Sequence, residues 1–371
     1  MEFKKYKLEE ICSLYQPQTI SGKEILSRGK FLVYGANGII GYYDSYNHED
    51  CEIAMTCRGA TCGNIIWTKP RSWITGNAMV VHPTSSVVDK RYLYYFLKEK
   101  KMSRAITGSA QPQITRSDLE FFEVLLPPLE EQKKIAGTLA LIDRKIELCE
   151  AQNRTLEKLA RQIYDYWFVQ FDFPDENGKP YKSSGGKMVY NEKLKREIPE
   201  GWEVKNVGML CSIVTGKEDA NFSTPDGQYP FFTCSNSVLR CDKADFEGNA
   251  ILLSGNGDFS VKHFRGKFNA YQRTYVLSPY EEKHYAVTYL GTEMAIRGFK
   301  KQSSGSIIKF ITKGDVEKIP LFDEPFLDEI YVLLNELLFK IEESTAQIQT
   351  LTSLRERLLP LLMSGQVEVR D

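Results

Sequence analysis

The chain is poor in the residues and patterns on which many enzymes and membrane proteins depend. Its 371 residues include only four histidines, and 48 Lys and Arg residues stand against 49 Asp and Glu residues, so the formal net charge is -1. A chain with this balance is no polycation, and any contact with nucleic acid must come from local basic patches. No apolar run approaches the roughly 18 residues that cross a bilayer. We therefore expect no membrane association.

Cysteine is present, but not in a pattern typical of disulfides or metal sites. The eight cysteines contain no Cys-x-x-Cys pair, and no short apolar leader follows Met1. We therefore expect free thiols in a reducing cytoplasm. The four histidines are scattered without the spacing of ligands, so we expect no metal site.

Catalytic motifs are missing as well. A phosphate-binding loop needs G-x-x-x-x-G-K-[ST], but Gly216 and Lys217 are followed by Glu218 and lack the upstream glycine. The sole Pro-Pro pair is flanked by leucines, so there is no Asn/Asp-Pro-Pro-Tyr/Phe run with which an amino-methyltransferase could hold a flipped base. We therefore expect no catalytic residue. The length of the chain is sufficient for two globular domains.

The sequence contains an internal repeat. The segment TGSAQPQITRSDLEF from Thr107 aligns with SGSIIKFITKGDVEK from Ser304 at an offset of 197. Upstream, YKLEEI from Tyr6 resembles WEVKNV from Trp202 at an offset of 196. A repeat of this length predicts two similar globular domains.

Each repeat is followed by a long amphipathic segment whose apolar positions alternate steps of four and three, as in a coiled coil. Such a stripe usually packs on its own domain. A helix of about 40 residues is about 60 Å long, however, and cannot bury that length on a domain with a radius of gyration of about 14 Å. We expect the two seams to face each other, with Asn153 fixing the register or merely tolerating a wet position. The seams are Ile135, Leu139, Ile142, Ile146, Cys149, Asn153, Leu156, Ala160 and Ile163, and Ile330, Leu334, Leu337, Ile341, Ser344, Ile348, Leu351, Arg355 and Leu358.

The globular parts predict an α+β fold. GKFLVYG, GIIGYYD, EIAMTC and NAMVVHP are strand-like and come in a run, and RYLYYFLKEKKM is a short helix. The Gly, Pro, Ser, Asn and Lys content of the segment from Phe171 to Trp202 predicts a surface connection between the repeats.

Several of these stretches resemble the specificity subunit of type I restriction-modification systems. They are LPPLEEQKKIA, the helix beginning TLALIDRKIELCEAQ, and DYWFVQFDFP followed by NGKPYKSSGGKMVYNEKLKREIPEGW. The resemblance covers nearly the whole chain. The second half departs from it, with FDEPFLDEI where wording like LPPLEEQ is expected.

The resemblance implies a DNA-binding chain that is not catalytic by itself. Two target recognition domains, 1–128 and 201–325, would each read half of a bipartite asymmetric site in double-stranded DNA. The helices 129–170 and 326–365, with a connector 171–200, would form an antiparallel coiled coil that sets the gap. Two methyltransferase subunits would dock on the helices and restriction subunits would join them, and S-adenosylmethionine, ATP and Mg are expected on those partners.

Candidate DNA-reading residues lie on Gly-rich loops and on an acid-free basic run, because Arg pairs with guanine and Asn or Gln with adenine. Each is also open to a simpler interpretation as a solvated surface residue. Asn37 and Asn236 are weaker candidates, since Asn is a common turn former. The candidates are Arg58, Asn77, Gln111 and Gln113 in the first half and Lys262, Arg265, Gln272, Arg273, Ser306 and Lys309 in the second.

Two other classes of function stay open. A nuclease or methyltransferase with a diverged motif is disfavoured by the missing phosphate, cofactor and base-holding motifs. A coiled-coil adaptor with two protein-binding heads is the stronger alternative. An adaptor predicts no salt-dependent DNA affinity, whereas a DNA reader loses affinity steeply as salt rises.

Overall fold

The computed structural model describes residues 2–36, 38–100, 102, 105–107, 112–257, 259–302 and 310–369, without the side chains of 299–302. The chain forms two compact units. The first unit comprises Met1–Glu147 with Gln349–Asp371, and the second comprises Leu148–Ile348. Each unit includes part of both long helices, whereas the five segments predicted from the sequence keep the helices separate, so those segment boundaries stay a prediction.

The first unit is a mixed fold with sheets in the orders β2-β8-β5-β6, β4-β3-β7 and β1-β9. Among the described residues of this unit, the strand pairs are antiparallel except β3 with β7. The strands predicted from the sequence are confirmed. The elements are β1 Lys4–Lys7, α1 Leu8–Ile11, β2 Cys12–Tyr15, β3 Phe31–Gly35, β4 Gly38–Tyr43, β5 Ile53–Thr56, β6 Ile65–Trp67, β7 Trp73–Ile74, β8 Ala78–Pro83, α2 Lys90–Lys100, α3 Arg116–Glu120, β9 Glu123–Leu126 and α4 Leu129–Tyr164.

Strands β5 and β8 are buried on both faces. Ile53 and Met55 belong to the main core with the helices, whereas Ala54 and Val80 belong to a second, smaller core. Successive side chains of a strand point to opposite faces. This explains why EIAMTC and NAMVVHP are continuous apolar runs rather than alternating ones.

The second unit is organised around a six-stranded sheet of order β13-β18-β16-β17-β14-β15. It again has two cores, since Ile251 joins the main core and its neighbour Leu252 joins the smaller one. The elements are β10 Met188–Asn191, β11 Arg196–Pro199, β12 Val204–Asn206, α5 Val207–Leu210, β13 Cys211–Thr215, β14 Tyr229–Phe232, β15 Leu239–Cys241, β16 Phe246–Ser254, β17 Val261–Ala270, β18 Thr274–Pro279, α6 Tyr285–Gln302, α7 Lys313–Glu317, β19 Pro320–Phe322 and α8 Asp328–Met363.

The internal repeat is confirmed at its downstream end. The N–H of Thr115 donates to the Asp118 carboxylate at 2.8 Å, and the N–H of Thr312 donates to the Asp315 carboxylate at 2.9 Å. These are capping boxes at the starts of α3 and α7, so the aligned Thr and Asp residues serve the same purpose in both units.

The upstream alignment is wrong by three residues. The helices α1 and α5 begin at Leu8 and Val207, and the strands after them begin at Cys12 and Cys211, an offset of 199 rather than 196. Cys12 and Cys211 pair with Pro83 and Pro279, respectively, which establishes their equivalence. The letters of YKLEEI and WEVKNV are similar, but their aromatic residues are not equivalent: Tyr6 lies within β1, whereas Trp202 precedes β12.

The two long helices are confirmed, and each has 36 residues. A π-helical turn, Asp165–Val169, follows directly after α4. Seam residues of both helices are buried or half-buried along their whole length, including Leu139 and Leu334 at 0% exposure.

Within each unit the two helices run antiparallel. In the second unit, Cys149 donates to Gln347 at 3.3 Å and Asn153 donates to Thr345 at 3.1 Å, so the numbering rises on α4 as it falls on α8. Asn153 is 9% exposed and is thus a buried polar seam residue. A buried polar pair of this kind disfavours shifted registers.

In the first unit a half-buried ion pair joins the same two helices. Arg355 contacts Asp143 at 2.8 Å, and the Tyr95 hydroxyl donates to the same carboxylate at 2.6 Å. The seam therefore connects directly to α2 of the globular part.

The connector is not purely a surface segment. Phe171, Phe173 and Trp202 are buried in the main core of the second unit, where the Phe173 and Trp202 rings stack at 5.1 Å. Between them lies the hairpin of β10 and β11. Composition alone could not show this, because a few aromatic residues anchor a stretch that is otherwise polar.

A buried amide joins each long helix to the short helix of its unit. Gln132 of LPPLEEQ, at 0% exposure, accepts from the N–H of Asp89 at 2.8 Å and donates to the carbonyls of Val87 and Pro127. In the second unit Asn335 accepts from the N–H of Ala286 at 2.8 Å. The second half lacks the LPPLEEQ motif, and Asn335 takes the place of its glutamine.

We predict that Gln132→Leu lowers the free energy of unfolding by about 3 kcal/mol, because it leaves buried backbone groups without partners. Urea denaturation followed by circular dichroism measures the change. Gln152→Leu, at an exposed position of the same helix, is the matched control and should alter stability by less than about 0.5 kcal/mol. Equal effects of the two substitutions would contradict the assigned role of Gln132.

Candidate nucleic-acid interface

Three loops of the first unit meet at one edge beyond the end of β5. The N–H of Cys57 donates to the Asn77 carbonyl at 3.5 Å, and the Cys57 carbonyl accepts from the N–H of Ile114 at 2.9 Å. Arg58 forms an isolated bridge with Gln113. These contacts bring three sequence-predicted residues, Arg58, Asn77 and Gln113, to one edge.

The side chains at this edge are free to bind. Arg58, Asn77 and Gln113 are exposed and have no side-chain hydrogen bond or ion pair within the described part of the chain. Arg58 and Gln113 also line a pocket with a buried apolar floor that includes Met79. The edge therefore presents hydrogen-bonding groups around an apolar centre. The other residues lining the pocket are Leu14, Tyr15, Gln16, Ile114, Thr115 and Arg116.

The second unit builds the same edge with the same backbone hydrogen bonds. The N–H of Gly255 donates to the Arg273 carbonyl at 2.8 Å, and the Gly255 carbonyl accepts from the N–H of Ile311 at 2.9 Å. Gly255 thus corresponds to Cys57, Arg273 to Asn77 and Ile311 to Ile114. We call this arrangement the edge frame.

The other described candidates of the second unit, Lys262, Gln272 and Arg265, are engaged within the protein. Lys262 donates to the Ser235 carbonyl, and its burial lowers its pKa. Gln272 donates to the Asp219 carboxylate. Arg265 lies with its guanidinium 4.3 Å from the centre of the Phe339 ring and its Nε 3.6 Å from a carboxylate oxygen of Glu342. Arg265 therefore holds β17 to α8.

Glu342 is the centre of this attachment. The Tyr285 hydroxyl donates to it at 2.6 Å and the His263 Nδ1 lies at 2.8 Å from the same oxygen. Burial and the nearby carboxylate raise the pKa of Tyr285 far above its usual range, which keeps the phenol a donor. In the first unit Lys69 contacts Glu147 of α4 at 3.1 Å, so each globular part is held to the helix that follows it.

Four candidates have no described position, and two positions of the edge frame were not among the candidates. Gln111, Ser306 and Lys309 lie outside the described residues, as does Asn37, while Asn236 is exposed in a loop. Asn256 follows Gly255 as Arg58 follows Cys57, and Phe310 precedes Ile311 as Gln113 precedes Ile114. Sequence reasoning overlooked both, although carrying the offset of the repeat back from Thr115 to Arg58 would have pointed near Asn256.

The family profile described as "Type I restriction modification DNA specificity domain" matches residues 1–158 and again residues 199–322. The chain belongs to this family. The two matches fall on the two globular parts, in agreement with the repeated edge frame. The predicted relation to type I specificity subunits is therefore confirmed.

Curated relatives and a solved structure agree with the family. The chain is 29% identical over 320 residues to the type I restriction enzyme MjaIX specificity subunit of Methanocaldococcus jannaschii, covering 78% of this chain and 71% of that protein. It is 37% identical over 177 residues to the EcoDI specificity subunit of Escherichia coli, covering 46% and 40%. A crystal structure of the type I S subunit from M. genitalium matches with a TM-score of 0.68 at 17% identity, over 97% of this chain and 96% of that one, and so shares the fold.

A helix that crosses a membrane must be both long and apolar. In the part of the chain that the structure describes, no helix combines the length and the apolar character needed to cross a membrane.

We predict that Arg265→Ala lowers the free energy of unfolding by about 1 kcal/mol, because it removes a cation–π contact and an ion pair between β17 and α8. Arg273→Ala, which removes the same side chain from a position without an ion pair, should change stability by less than about 0.5 kcal/mol. Urea denaturation of both variants checks this. A larger loss of stability for Arg273→Ala than for Arg265→Ala would contradict the roles assigned to these two residues.

Proposed function

We propose that the chain selects the DNA sequence for a type I restriction-modification complex. Each unit reads one half of a bipartite asymmetric site in double-stranded DNA, and the helix pair sets the gap. The chain performs no catalysis; methyltransferase and restriction subunits supply it, together with the sites for S-adenosylmethionine, ATP and Mg. The complex acts in the cytoplasm.

The edge frame is the observation that carries this proposal. Two units with the same backbone hydrogen bonds present different side chains at the same places, Arg58 and Asn77 in one and Asn256 and Arg273 in the other. Arg and Asn are the residue types that make bidentate contacts with guanine and adenine in the major groove. Two equivalent frames with different side chains suit two half-sites of different sequence.

The exposed faces of the helices favour a scaffold role as well. In the first unit Leu141 is 73% exposed and Leu354 is 43% exposed, and in the second unit Leu148 is 50% exposed and Val332 is 54% exposed. Leu141 and Leu148 are seven residues apart on α4 and so lie on one side of the helix, and an exposed apolar stripe is typical of a protein interface. We assign these faces to the two methyltransferase subunits.

We expect that co-expression of this chain with its cognate methyltransferase subunit, in a host lacking both, methylates adenine in one bipartite asymmetric motif. Genome-wide mapping of methylated adenine measures this. Omitting this chain should abolish the motif.

Methylation that is absent, or the same without this chain, would reject the proposal. The adaptor alternative would gain support if the assembled complex also bound DNA without salt dependence, since a reader that neutralises phosphates must lose affinity as salt rises.

We predict that Leu141→Glu weakens assembly with the methyltransferase subunit at least about tenfold, because a charge enters an apolar interface. Leu141→Met, which keeps the apolar surface, is the control and should assemble normally. Titration of the purified subunits, followed by light scattering, measures the affinity. Since Leu141 is mostly solvent-exposed, unchanged assembly of a folded Leu141→Glu variant would place the docking face elsewhere.

A further inference from the structure

The edge frame defines three equivalent positions in the two units. The first position comes directly after the residue whose N–H donates in the frame, which is Cys57 or Gly255. It is Arg58 in the first unit and Asn256 in the second. The second accepts that donation and holds Asn77 or Arg273. The third precedes the isoleucine that closes the frame and holds Gln113 or Phe310. Arg and Asn thus exchange places between the units.

The side chains at these positions in the second unit are available to a ligand. Asn256 is half-buried and Arg273 is exposed, and neither side chain has a hydrogen bond or ion pair among the described residues. Phe310 is 65% exposed, whereas the next residue, Ile311, is 7% exposed. A phenyl ring so open to solvent beside a buried isoleucine adds little to the core and is free to contact a ligand.

The neighbouring cations are less suited to the same task. Lys262 and Arg265 are bound to Ser235 and Glu342, respectively, so using them would break contacts that hold β17 in place. Asn256, Arg273 and Phe310 can bind without such loss. Their chemistries are complementary: Asn fits the adenine edge, Arg fits the guanine edge, and Phe packs on the methyl group of thymine.

We propose that Asn256, Arg273 and Phe310 are the base-reading set of the second unit, contacting adenine, guanine and thymine, respectively. Arg58, Asn77 and Gln113 occupy the same positions in the first unit. The exchange of Arg and Asn at the first two positions makes the two half-sites differ even though the backbone frames agree. The inference rests on the proposed function and adds the residues that determine the second half-site.

The decisive experiment exchanges the two polar residues of the second unit. The double variant Asn256→Arg with Arg273→Asn keeps composition and net charge, and it reproduces the order found in the first unit. Co-expressed with the methyltransferase subunit and mapped genome-wide, it should swap one adenine and one guanine preference in the second half-site. The first half-site should remain unchanged.

Single variants test each position separately. Asn256→Ala and Phe310→Ala should each relax one base of the second half-site, with discrimination falling about tenfold to a hundredfold. Arg58→Ala should relax only the first half-site. Asn177→Ala and Tyr190→Ala remove matched side chains from exposed positions of the connector and should leave the motif intact.

The possible outcomes distinguish a wrong inference from a wrong proposed function. An unchanged motif in the double variant, or an equal loss of methylation at all second half-site sequences from variants that still assemble, would overturn the inference. Failure of the unaltered chain to produce any bipartite motif would instead reject the proposed function, and the inference with it. Melting temperatures and assembly with the methyltransferase subunit, measured for every variant, separate misfolding from altered reading.

Discussion

The seam between α4 and α8 is the constraint on which both units depend. The core of the first unit includes Leu362 and Met363 from the end of α8, and the core of the second unit includes Ala160 and Tyr164 from the end of α4. Each helix therefore starts in contact with one unit and completes the core of the other. Neither core is complete without the antiparallel pairing, so cores and seam must form together.

The features predictable from the sequence were those carried by periodicity. The steps of four and three identified the seam residues because helical spacing depends only on position in the chain. Which cations are free to bind a ligand could not be predicted in the same way, because this depends on residues distant in the chain. Arg265 is engaged by Phe339 and Glu342, more than 70 positions away, and nothing in its local basic run indicates this. The edge frame could not be predicted for the same reason, since it is formed by backbone hydrogen bonds between residues distant in the chain.

The two halves solve one packing problem with different residues. Gln132 and Asn335 both offer a buried amide to the backbone near the start of a short helix, from different places on their long helices. Any side chain with a donor and an acceptor at the right depth can satisfy these groups. The second unit therefore keeps an equivalent connection between its helices, although FDEPFLDEI departs from the motif of the first half.

The polar residues of the seam favour one register of α4 against α8. A slip of one heptad would move one helix along the other by about 10 Å, the length of about three base pairs of DNA. Such a slip would separate Asn153 from Thr345 and Arg355 from Asp143. Because these polar groups would lose their partners, both pairs favour the observed register. A purely apolar seam would pack nearly as well one heptad away. For the spacer that we propose, the fixed register therefore matters more than the strength of the pairing.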